Sequence, residues 1–522
     1  MKKLPGIFND VIGPVMRGPS SSHTAASWRI ARTCLDILSE PLKKALIEFD
    51  TEGAWAPNFR EQGTDMGING GLLDIEIADP RLKNTSKIAE EKGISITYEI
   101  NSFPTKHANT VRISLEGVNG NNIQVVAVSI GGGSFEIQQI DHFNVNICGD
   151  YNELIIWSKN ISLSPDGLKS MLPPDVILIQ SSNDKGNLIN IKSPKRIPDK
   201  IIEQLKSNSN IDKIIVINPV MPIISGNESE MPFTTIASLS SYAENENLDL
   251  GELGLIYEQC RSGLSEAELL NKMNTLIEII DTSIKTGLEG TVYKDRILQQ
   301  QSHLIHKAEK KGRILQGQLV NKIVANVSAI MEAKSAMEVI VANPTAGSCG
   351  TVGGVLKAVA EDLGSSKKEL TKAYFAAGIV GAYFAAGPGF SAEEHGCQVE
   401  CGAASGMAAA GIAQLFGGTA KQAIGAASMA IQNMIGLVCD PVADRVEVPC
   451  LGKNISAAMN ALSSATMACS GFDAVIPLDE VIETVSRVSK QMPTCVKCTG
   501  KGGLAITTTS INLKNFMNNL NT

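Results

Sequence analysis

Apolar and polar positions alternate over the first 145 residues in ways that predict both helices and strands. Ala25–Leu38 carries apolar residues at helical spacing and predicts a helix. Four runs have strand character, and the last two flank an Asn-Gly turn: Ala45–Asp50, Ser95–Ile100, Asn109–Leu115 and Ile123–Ile130. We therefore predict an N-terminal α/β domain over residues 1–145.

Residues 146–225 show a second pattern, in which short strand-like runs are separated by helical stretches. The strand-like runs are Leu154–Trp157, Val176–Gln180, Leu188–Ile191 and Lys213–Ile217. Helical stretches at Pro165–Met171 and Asp199–Lys206 fit between them, which gives the β-α-β-β-α-β order of a ferredoxin-like fold. The turn Pro165-Asp166-Gly167 resembles that of an ACT domain, a small amino-acid-sensing module. A purely structural spacer is an equal alternative.

The remainder, residues 226–522, has helical periodicity and predicts an all-α domain, so that the whole chain belongs to the α+β multidomain class. Leu253–Cys260, Glu266–Gly287 and Lys322–Ile340 have helical spacing. Residues 344–470 are rich in Ala, Gly and Ser, which indicates helices packed with their backbones close together. The apolar run Ala373–Gly387 is too short and too rich in small residues for a membrane span, so we predict a buried helix and no membrane partner.

Composition narrows the class of protein. The 522 residues exceed one ordinary domain, and the 43% of hydrophobic residues can bury a large core. A net charge of −8 argues against a nucleic-acid partner, which requires a basic surface. Residues 1–10 lack the apolar stretch of a secretory signal, and eleven cysteines without such a signal indicate thiols or metal ligands rather than disulfides. We therefore expect a reducing, cytoplasmic location.

Three cysteines in the helical part are candidate metal ligands. Cys397, Cys439 and Cys450 are separated by 42 and 11 residues, unlike the compact cysteine run of electron-transfer ferredoxins. Three thiolates on a four-iron cluster leave one iron without a protein ligand, and Lewis-acid chemistry requires such an open position. By spacing alone, buried and unrelated thiols explain these cysteines equally well or better.

Eight longer motifs supply a more specific signal. Four lie in the first 137 residues: GPSSSHTAA, QGTDMGINGGLL, KHANTVRISL and SIGGGSFEI. Four follow residue 342: NPTAGSCGTVGGVL, EHGCQVECGAASGMAAAG, CDPVADRVEVPC and CTGKGGLAIT. In this order they resemble the β-type and then the α-type part of iron–sulfur-dependent L-serine dehydratase, fused in one chain. The similarity thins between residues 146 and 320.

The resemblance implies a [4Fe-4S] cluster on Cys397, Cys439 and Cys450, an L-serine ammonia-lyase activity and a homodimer. It places His107 and Asn109 in the active site, His107 as acid/base and Asn109 as polar support, with His23 as a further catalytic residue. Because the GPSSSHT turn can cap a helix and the helix start binds carboxylates, Ser20 and Ser22 are expected to bind substrate. The resemblance adds Thr64 and Asp65 to that list. It also implies a small-molecule amino-acid substrate and a role in amino-acid degradation and gluconeogenesis.

Other residues in or beside these motifs have two explanations each. Cys349 is a rival ligand, which we interpret instead as a thiol in a Gly-rich turn near the cluster. Cys495 and Cys498 form a CxxC pair, which is weak evidence for zinc or redox chemistry. The basic or polar residues beside the ligands either offset cluster charge or are surface groups; they are Arg445, Lys453 and Asn454. Gly131–Gly133 and Gly347–Gly350 allow close backbone approach or form tight turns.

The chain departs from the family pattern at two points, so the sequence does not determine which amino acid is the substrate. Gln62 stands where the β-type part often has a histidine, and the chain ends at Asn521-Thr522 without the terminal cysteine of some members. A lyase for another β-substituted amino acid, L-threonine or L-cysteine, is therefore an alternative. A non-catalytic amino-acid-sensing or zinc-binding protein is a third hypothesis.

Overall fold

Three sheets and a large helical part make up the computed structural model of the chain, which describes residues 5–158, 168, 169, 171–183, 186–225 and 231–520. The described strands are β1 (Val15–Met16), β2 (Leu42–Asp50), β3 (Ser95–Asn101), β4 (Thr110–Gly117), β5 (Asn122–Gly131), β6 (Ser134–Ile140), β7 (Phe143–Ile147), β8 (Asn152–Ser158), β9 (Ile177–Asn183), β10 (Gly186–Ser193), β11 (Lys213–Ile217) and β12 (Ile340–Val341). The described α-helices are Ala26–Leu38, Thr64–Leu72, Thr85–Glu91, Asp199–Lys206, Ile236–Glu246, Leu250–Ser262, Glu266–Glu289, Ser302–Lys310, Gln318–Ser335, Cys349–Leu363, Lys367–Ala386, Ala392–His395, Cys401–Leu415, Ala420–Gln432, Cys450–Cys469, Leu478–Gln491 and Thr508–Leu520. The α+β class is confirmed.

A six-stranded sheet with the order β3-β2-β4-β5-β6-β7 organises the N-terminal unit. β2 and β3 are parallel and the other neighbours are antiparallel. The helix Ala26–Leu38 packs on this sheet and buries Ile30, Cys34 and Ile37 against Ile113 and Val125 in one apolar core. The predicted helix and four predicted strands are all present, each within a few residues of its predicted bounds.

The middle sheet has the order β11-β8-β10-β9 and is antiparallel throughout. Its four strands and the helix Asp199–Lys206 occur where the sequence predicts them. Of the predicted helix at 165–171, residues 165–167 and 170 lie outside the described residues. The domain boundaries at 145/146 and 225/226, and the ACT-like sensing role, stay predictions.

The helical part differs from its prediction at one point. The predicted helix Lys322–Ile340 ends at Ser335, because Met337 takes a left-handed backbone conformation with φ +63° that a helix cannot contain. Ile340 and Val341 then form β12, which pairs antiparallel with β1 near the N-terminus. The helical part is therefore not purely α, and this short pair joins it to the N-terminal unit.

The Ala- and Gly-rich helices pack with their backbones close together, as predicted. A Cβ on Gly354 would lie 2.8 Å from the backbone nitrogen of Val327, and one on Gly411 would lie 3.0 Å from the carbonyl oxygen of Ala373. Tyr374 and Phe375, in the apolar run Ala373–Gly387 for which we predict a buried helix, are 1% exposed. Within the described residues, no helix combines the length and the apolar character needed to cross a membrane.

Candidate active site and metal centre

The three candidate ligands come from separate segments and are all buried. Cys397 begins a 3-10 turn, Cys439 lies in an extended segment, and Cys450 is the first residue of the helix Cys450–Cys469. Their exposed fractions are 1%, 4% and 5%. Burial this complete is unusual for reactive thiols without a partner and typical of structural or metal-binding cysteines.

Two of the thiols, those of Cys397 and Cys439, lie close enough together to bind one metal centre. The sulfurs of Cys397 and Cys439 and a carboxylate oxygen of Glu400 lie within 4.8 Å of one another. Hydrogen bonds with Cys397 and Cys498, together with burial, raise the pKa of Cys439 well above its ordinary value. Burial and the charge of Cys397 likewise raise the pKa of Cys450. A bound cation reverses this effect by stabilising thiolates, so the donor set fits a thiolate-bound metal cluster.

Basic groups surround the thiols and are bound rather than free on the surface. Lys453 donates to the carbonyl of Val438 and to a carboxylate oxygen of Asp440, each at 2.7 Å. Burial alone would lower the pKa of Lys453, but Cys397 and Asp440 raise it above its ordinary value. Lys334 is fully buried and donates to the carbonyl of Val446. Positive charge at this point offsets the negative charge of thiolates.

The remaining candidate residues near the cysteines lie in different surroundings. Arg445 pairs with Asp295 at 2.6 Å, and Asn454 is buried. Cys349 begins the helix Cys349–Leu363, and its thiol lies 3.9 Å from the sulfur of Met331, so the predicted Gly-rich turn is a helix start. Burial raises the pKa of Cys349 to about 12. Within the CxxC pair, Cys495 is exposed whereas Cys498 is buried.

His23 links the N-terminal unit to the segment that precedes Cys397. Its ring is fully buried, with Nδ1 at 2.9 Å from the hydroxyl of Thr64 and Nε2 at 3.2 Å from a carboxylate oxygen of Glu393. Burial alone would raise the pKa of Glu393, but the hydrogen bond with His23 and the charge of the His23 ring lower this pKa to about 2. Glu393 is therefore a carboxylate, and Ser391 donates to its second oxygen at 2.9 Å.

The serines of the GPSSSHT segment occupy a π-helical turn, Ser21–Ala25, that leads into the helix Ala26–Leu38. Ser20 caps the turn by accepting from the backbone N–H of His23. The hydroxyl of Ser22 accepts from the amide of Asn109 and lies 3.2 Å from the hydroxyl of Ser129. The other amide atom of Asn109, its Oδ1, is buried and has no hydrogen-bond partner among the described residues. An acceptor of this kind is suited to a ligand donor.

His107 is half-buried and contacts the same segment. Its Nδ1 accepts from the backbone N–H of Asn109 at 3.1 Å, so neutral His107 carries its proton on Nε2. Nε2 lies 3.4 Å from a carboxylate oxygen of Glu394, whose other oxygen is 3.8 Å from His395. His107 and His23 therefore each contact one of two adjacent glutamates.

The close approach of the two parts depends on glycine. Gly131 has φ +94°, and a Cβ there would lie 2.5 Å from the backbone nitrogen of Ser391 and 2.6 Å from the carbonyl carbon of Phe390. Of the two explanations for the Gly131–Gly133 run, close backbone approach therefore applies at Gly131. This contact fixes the segment that carries Glu393 and Glu394 against the N-terminal sheet.

Thr64 and Asp65 begin the helix Thr64–Leu72. Asp65 accepts from the backbone N–H of Met66, and burial raises the pKa of Asp65 to about 7. Gln62, just before this helix, is 1% exposed and donates from Nε2 to the sulfur of Cys498 at 3.8 Å. Gln62, which departs from the β-type motif, thus contacts the first residue of the α-type motif CTGKGGLAIT.

Sequence reasoning did not single out the carboxylates of this site. Glu393, Glu394 and Glu400 all flank Cys397, and only the charge density of the EEHGCQVE segment could have indicated them. Burial raises the pKa of Glu400 to about 7, and Thr345 donates to it at 2.7 Å. Lys334 gave no local signal, since it lies in an otherwise ordinary helix.

Comparison with known proteins identifies the family. A family model described as serine dehydratase alpha chain matches residues 203–505. The probable L-serine dehydratase alpha chain of Bacillus subtilis (strain 168) is 34% identical over 282 residues, which cover 54% of this chain and 94% of that protein. The chain belongs to the serine dehydratase alpha chain family.

A second match concerns the other type of subunit. The probable L-serine dehydratase beta chain of Bacillus subtilis (strain 168) is 31% identical over 218 residues, or 41% of this chain and 97% of that protein. L-serine dehydratase 1 of Escherichia coli (strain K12) is 40% identical over 180 residues, or 34% of this chain and 40% of that protein. One polypeptide here therefore combines sequence similar to both alpha and beta chains of serine dehydratases.

Proposed function

We propose that the protein is an L-serine ammonia-lyase that converts L-serine to pyruvate and ammonia with the help of a [4Fe-4S] cluster. The proposal is supported most by the way in which cysteines of the helical part and histidines of the N-terminal unit converge on one segment. The buried thiols of Cys397, Cys439 and Cys450 belong to the helical part, whereas His23 and His107 reach the adjoining glutamates from the N-terminal unit. We further propose that the chain has three units: a β-type unit of residues 1–145, an ACT-like unit of residues 146–225, and an α-type unit of residues 226–522 that carries the cluster ligands.

Cys397, Cys439 and Cys450 would hold the cluster. When bound, the cluster supplies a Lewis-acidic iron that polarises the hydroxyl to be expelled and orients the substrate. The fit rests on the donors themselves, which are buried thiols beside the cations of Lys453 and Lys334. Oxygen donors alone would favour a hard cation, and thiolates favour iron–sulfur clusters or zinc.

His107 is the proposed acid/base residue for the Cα proton. Its Nδ1 is held by a backbone N–H, which directs Nε2 towards Glu394 and fixes the tautomer. In this tautomer Nε2 holds its proton towards Glu394 and acts as an acid. To accept the Cα proton at Nε2, the ring has to take the other tautomer, with its proton on Nδ1, and the hydrogen bond from the Asn109 N–H breaks. Asn109, hydrogen-bonded to Ser22, supports this arrangement and offers its free Oδ1 to the substrate.

His23 is the proposed positioning residue. Both of its ring nitrogens face protein groups, Thr64 on one side and Glu393 on the other. The ring therefore fixes the helix start at Thr64 against the segment that leads to Cys397. In this arrangement His23 maintains Glu393 as a carboxylate beside the thiols, which is a structural and electrostatic contribution to catalysis.

Substrate binding is assigned to the turn and helix start that surround His23. Ser20 and Ser22 with the neighbouring backbone N–H groups suit the substrate carboxylate. Asp65 suits the ammonium group, because a carboxyl whose pKa burial has raised to about 7 gains a favourable partner when a cation binds. L-threonine and L-cysteine share these groups with L-serine and differ only at Cβ.

Anaerobic purification followed by iron and sulfide analysis and an assay of 2-oxo acid release tests the proposal. We expect iron and sulfide in equal amounts and turnover of L-serine above L-threonine and L-cysteine. Stoichiometric zinc without iron would refute the cluster, and a full cluster without serine turnover would refute the substrate. Preferred turnover of L-cysteine or L-threonine would instead support the alternative that Gln62 keeps open.

A further inference from the structure

A cavity of about 510 Å³ lies apart from the candidate active site, between the N-terminal unit, the segment that follows β11 and the helix Glu266–Glu289. Buried apolar side chains form much of its wall, among them Phe8, Ile12 and Met221. Of the described residues that line it, none is a proposed substrate-binding, acid/base or cluster residue. This size and apolar character are typical of small-molecule sites.

The side chain of Arg29 lines this cavity and is only partly bound by protein groups. Arg29 is 3% exposed, and its Nη1 donates to the carbonyl of Gly133 at 2.6 Å. Within the described part of the chain, no group accepts from its Nε or Nη2, and no carboxylate forms an ion pair with it. Burial lowers the pKa of Arg29 to about 10, and the charge of Asp10 opposes this effect. Arg29 is therefore a buried cation with unused hydrogen-bond donors.

Asp10, the acidic group whose charge acts on Arg29, is bound to other groups. One of its carboxylate oxygens accepts from the hydroxyl of Ser134 and the other from the backbone N–H of Gly6, each at 2.7 Å. A buried cation without a paired anion is unfavourable, so an anionic ligand beside Arg29 would stabilise it. The planar guanidinium suits a carboxylate in particular, because it can bind both carboxylate oxygens at once.

A second cation lines the cavity nearer to solvent. Lys272 is half-buried, and Asn271 and Thr275, which line the cavity from the same helix, are exposed. Within the described residues, the ammonium group of Lys272 has no hydrogen bond or ion pair. Glu76, which is exposed, is the one carboxylate among the described lining residues. Two cations and one carboxylate leave an excess of one positive charge, which a single ligand carboxylate would balance.

We propose that this cavity binds a monocarboxylate with an apolar body, at a site separate from that of the amino-acid substrate. The ligand carboxylate pairs with Arg29, and its apolar body packs against Phe8, Ile12 and Met221. L-Serine is not the expected ligand, because its side chain is a short polar hydroxymethyl group. Since no proposed cluster residue lines the cavity, this binding does not depend on the proposed function.

Isothermal titration calorimetry of the full-length protein with 3-phenylpropanoate tests the inference. We expect saturable binding of one molecule per chain. Two matched compounds separate the contributions, since 3-phenylpropanamide lacks the negative charge and acetate lacks the apolar body. Each should bind at least about 10-fold more weakly than 3-phenylpropanoate. Arg29→Met should weaken the binding of 3-phenylpropanoate by a similar factor, because this variant loses the charged donors.

Variants at the more open side of the cavity give an independent test. Thr275→Trp places a bulky ring at an exposed lining position and should weaken binding. Lys272→Gln should also weaken binding, because it removes the second cation. Lys285→Gln is the matched control on the same helix and should bind as wild type, since Lys285 lies outside the cavity and its side chain is 74% exposed.

Absence of saturable binding, or equal affinities for the carboxylate and its amide, would overturn the inference. Unchanged affinity in Arg29→Met would overturn it as well. If Arg29→Met fails to fold, unchanged affinity in both Thr275→Trp and Lys272→Gln has the same meaning. Addition of L-serine should leave the affinity for 3-phenylpropanoate unchanged, and competition between the two would place the compound in the substrate site and overturn the inference.

Discussion

Replacement of Thr64 by valine tests whether His23 is fixed by the helix start of the N-terminal unit. Valine keeps the shape of threonine and removes its hydroxyl, which lies 2.9 Å from Nδ1 of His23. Both side chains are 0% exposed, so water cannot replace the lost partner. The substitution removes one hydrogen bond and leaves a buried ring nitrogen without a partner. Together these effects should lower the free energy of unfolding by about 1–3 kcal/mol.

Urea-induced unfolding of the metal-free protein, followed by tryptophan fluorescence, measures this loss. All three tryptophans lie between residues 28 and 157, and the Trp55 ring is 5.7 Å from that of His23, so the signal reports the relevant part of the chain. Thr33→Val is the matched control: Thr33 is equally buried, and its hydroxyl donates to the Arg29 carbonyl of its own helix. Equal urea midpoints for the two variants would refute the positioning of His23.

Three further predictions concern the pH dependence, the ligands and the glycine contact. Burial raises the pKa of Asp65 to about 7, so ionisation of this carboxyl destabilises the folded protein as pH rises. In urea titrations, Asp65→Asn should therefore be more stable than wild type by on the order of 4 kcal/mol at about pH 8 and by close to zero near pH 4, while losing activity. Equal stabilities at both pH values would contradict this. Cys439→Ala should lose its iron, and Cys34→Ala, an equally buried cysteine outside the site, should keep it; elemental analysis decides between them. Gly131→Ala should lose about 1–3 kcal/mol of unfolding free energy and most of its activity. Gly120→Ala is the control and should stay active, because Gly120 has the same φ of +94° but nothing within 4 Å of an added Cβ. Similar losses in both variants would show that backbone strain, and not the close contact, is responsible.

Local patterns in the sequence were sufficient to predict most elements of the fold. The helix Asp199–Lys206 and the strand Lys213–Ile217 were predicted with their observed bounds, because period and turn residues are read from neighbouring positions. The predicted helix Lys322–Ile340 was too long, since a left-handed residue at Met337 cannot be seen in an apolar pattern. Its last residues instead pair with β1, and that contact spans more than 300 positions.

The candidate site was predicted in part for the same reason. Motifs pointed to His23, His107 and the cysteines, each within its own segment. They could not show that His23 contacts Glu393 or that Gln62 contacts Cys498, because these pairs are separated by 370 and 436 positions and meet only in the folded chain. The Gly131–Gly133 run stands out in the sequence, but the role of Gly131 depends on the backbone of a different part of the chain.

The central claim, that a cluster on three cysteines dehydrates an amino acid, is tested most directly by one measurement. Protein purified without oxygen is analysed for iron and sulfide and assayed for 2-oxo acid release from L-serine, before and after exposure to air. We predict a full cluster and serine turnover that air abolishes, because a catalytic iron is readily lost by oxidation. Turnover of L-serine by protein that contains no iron, or that survives air unchanged, would contradict the account.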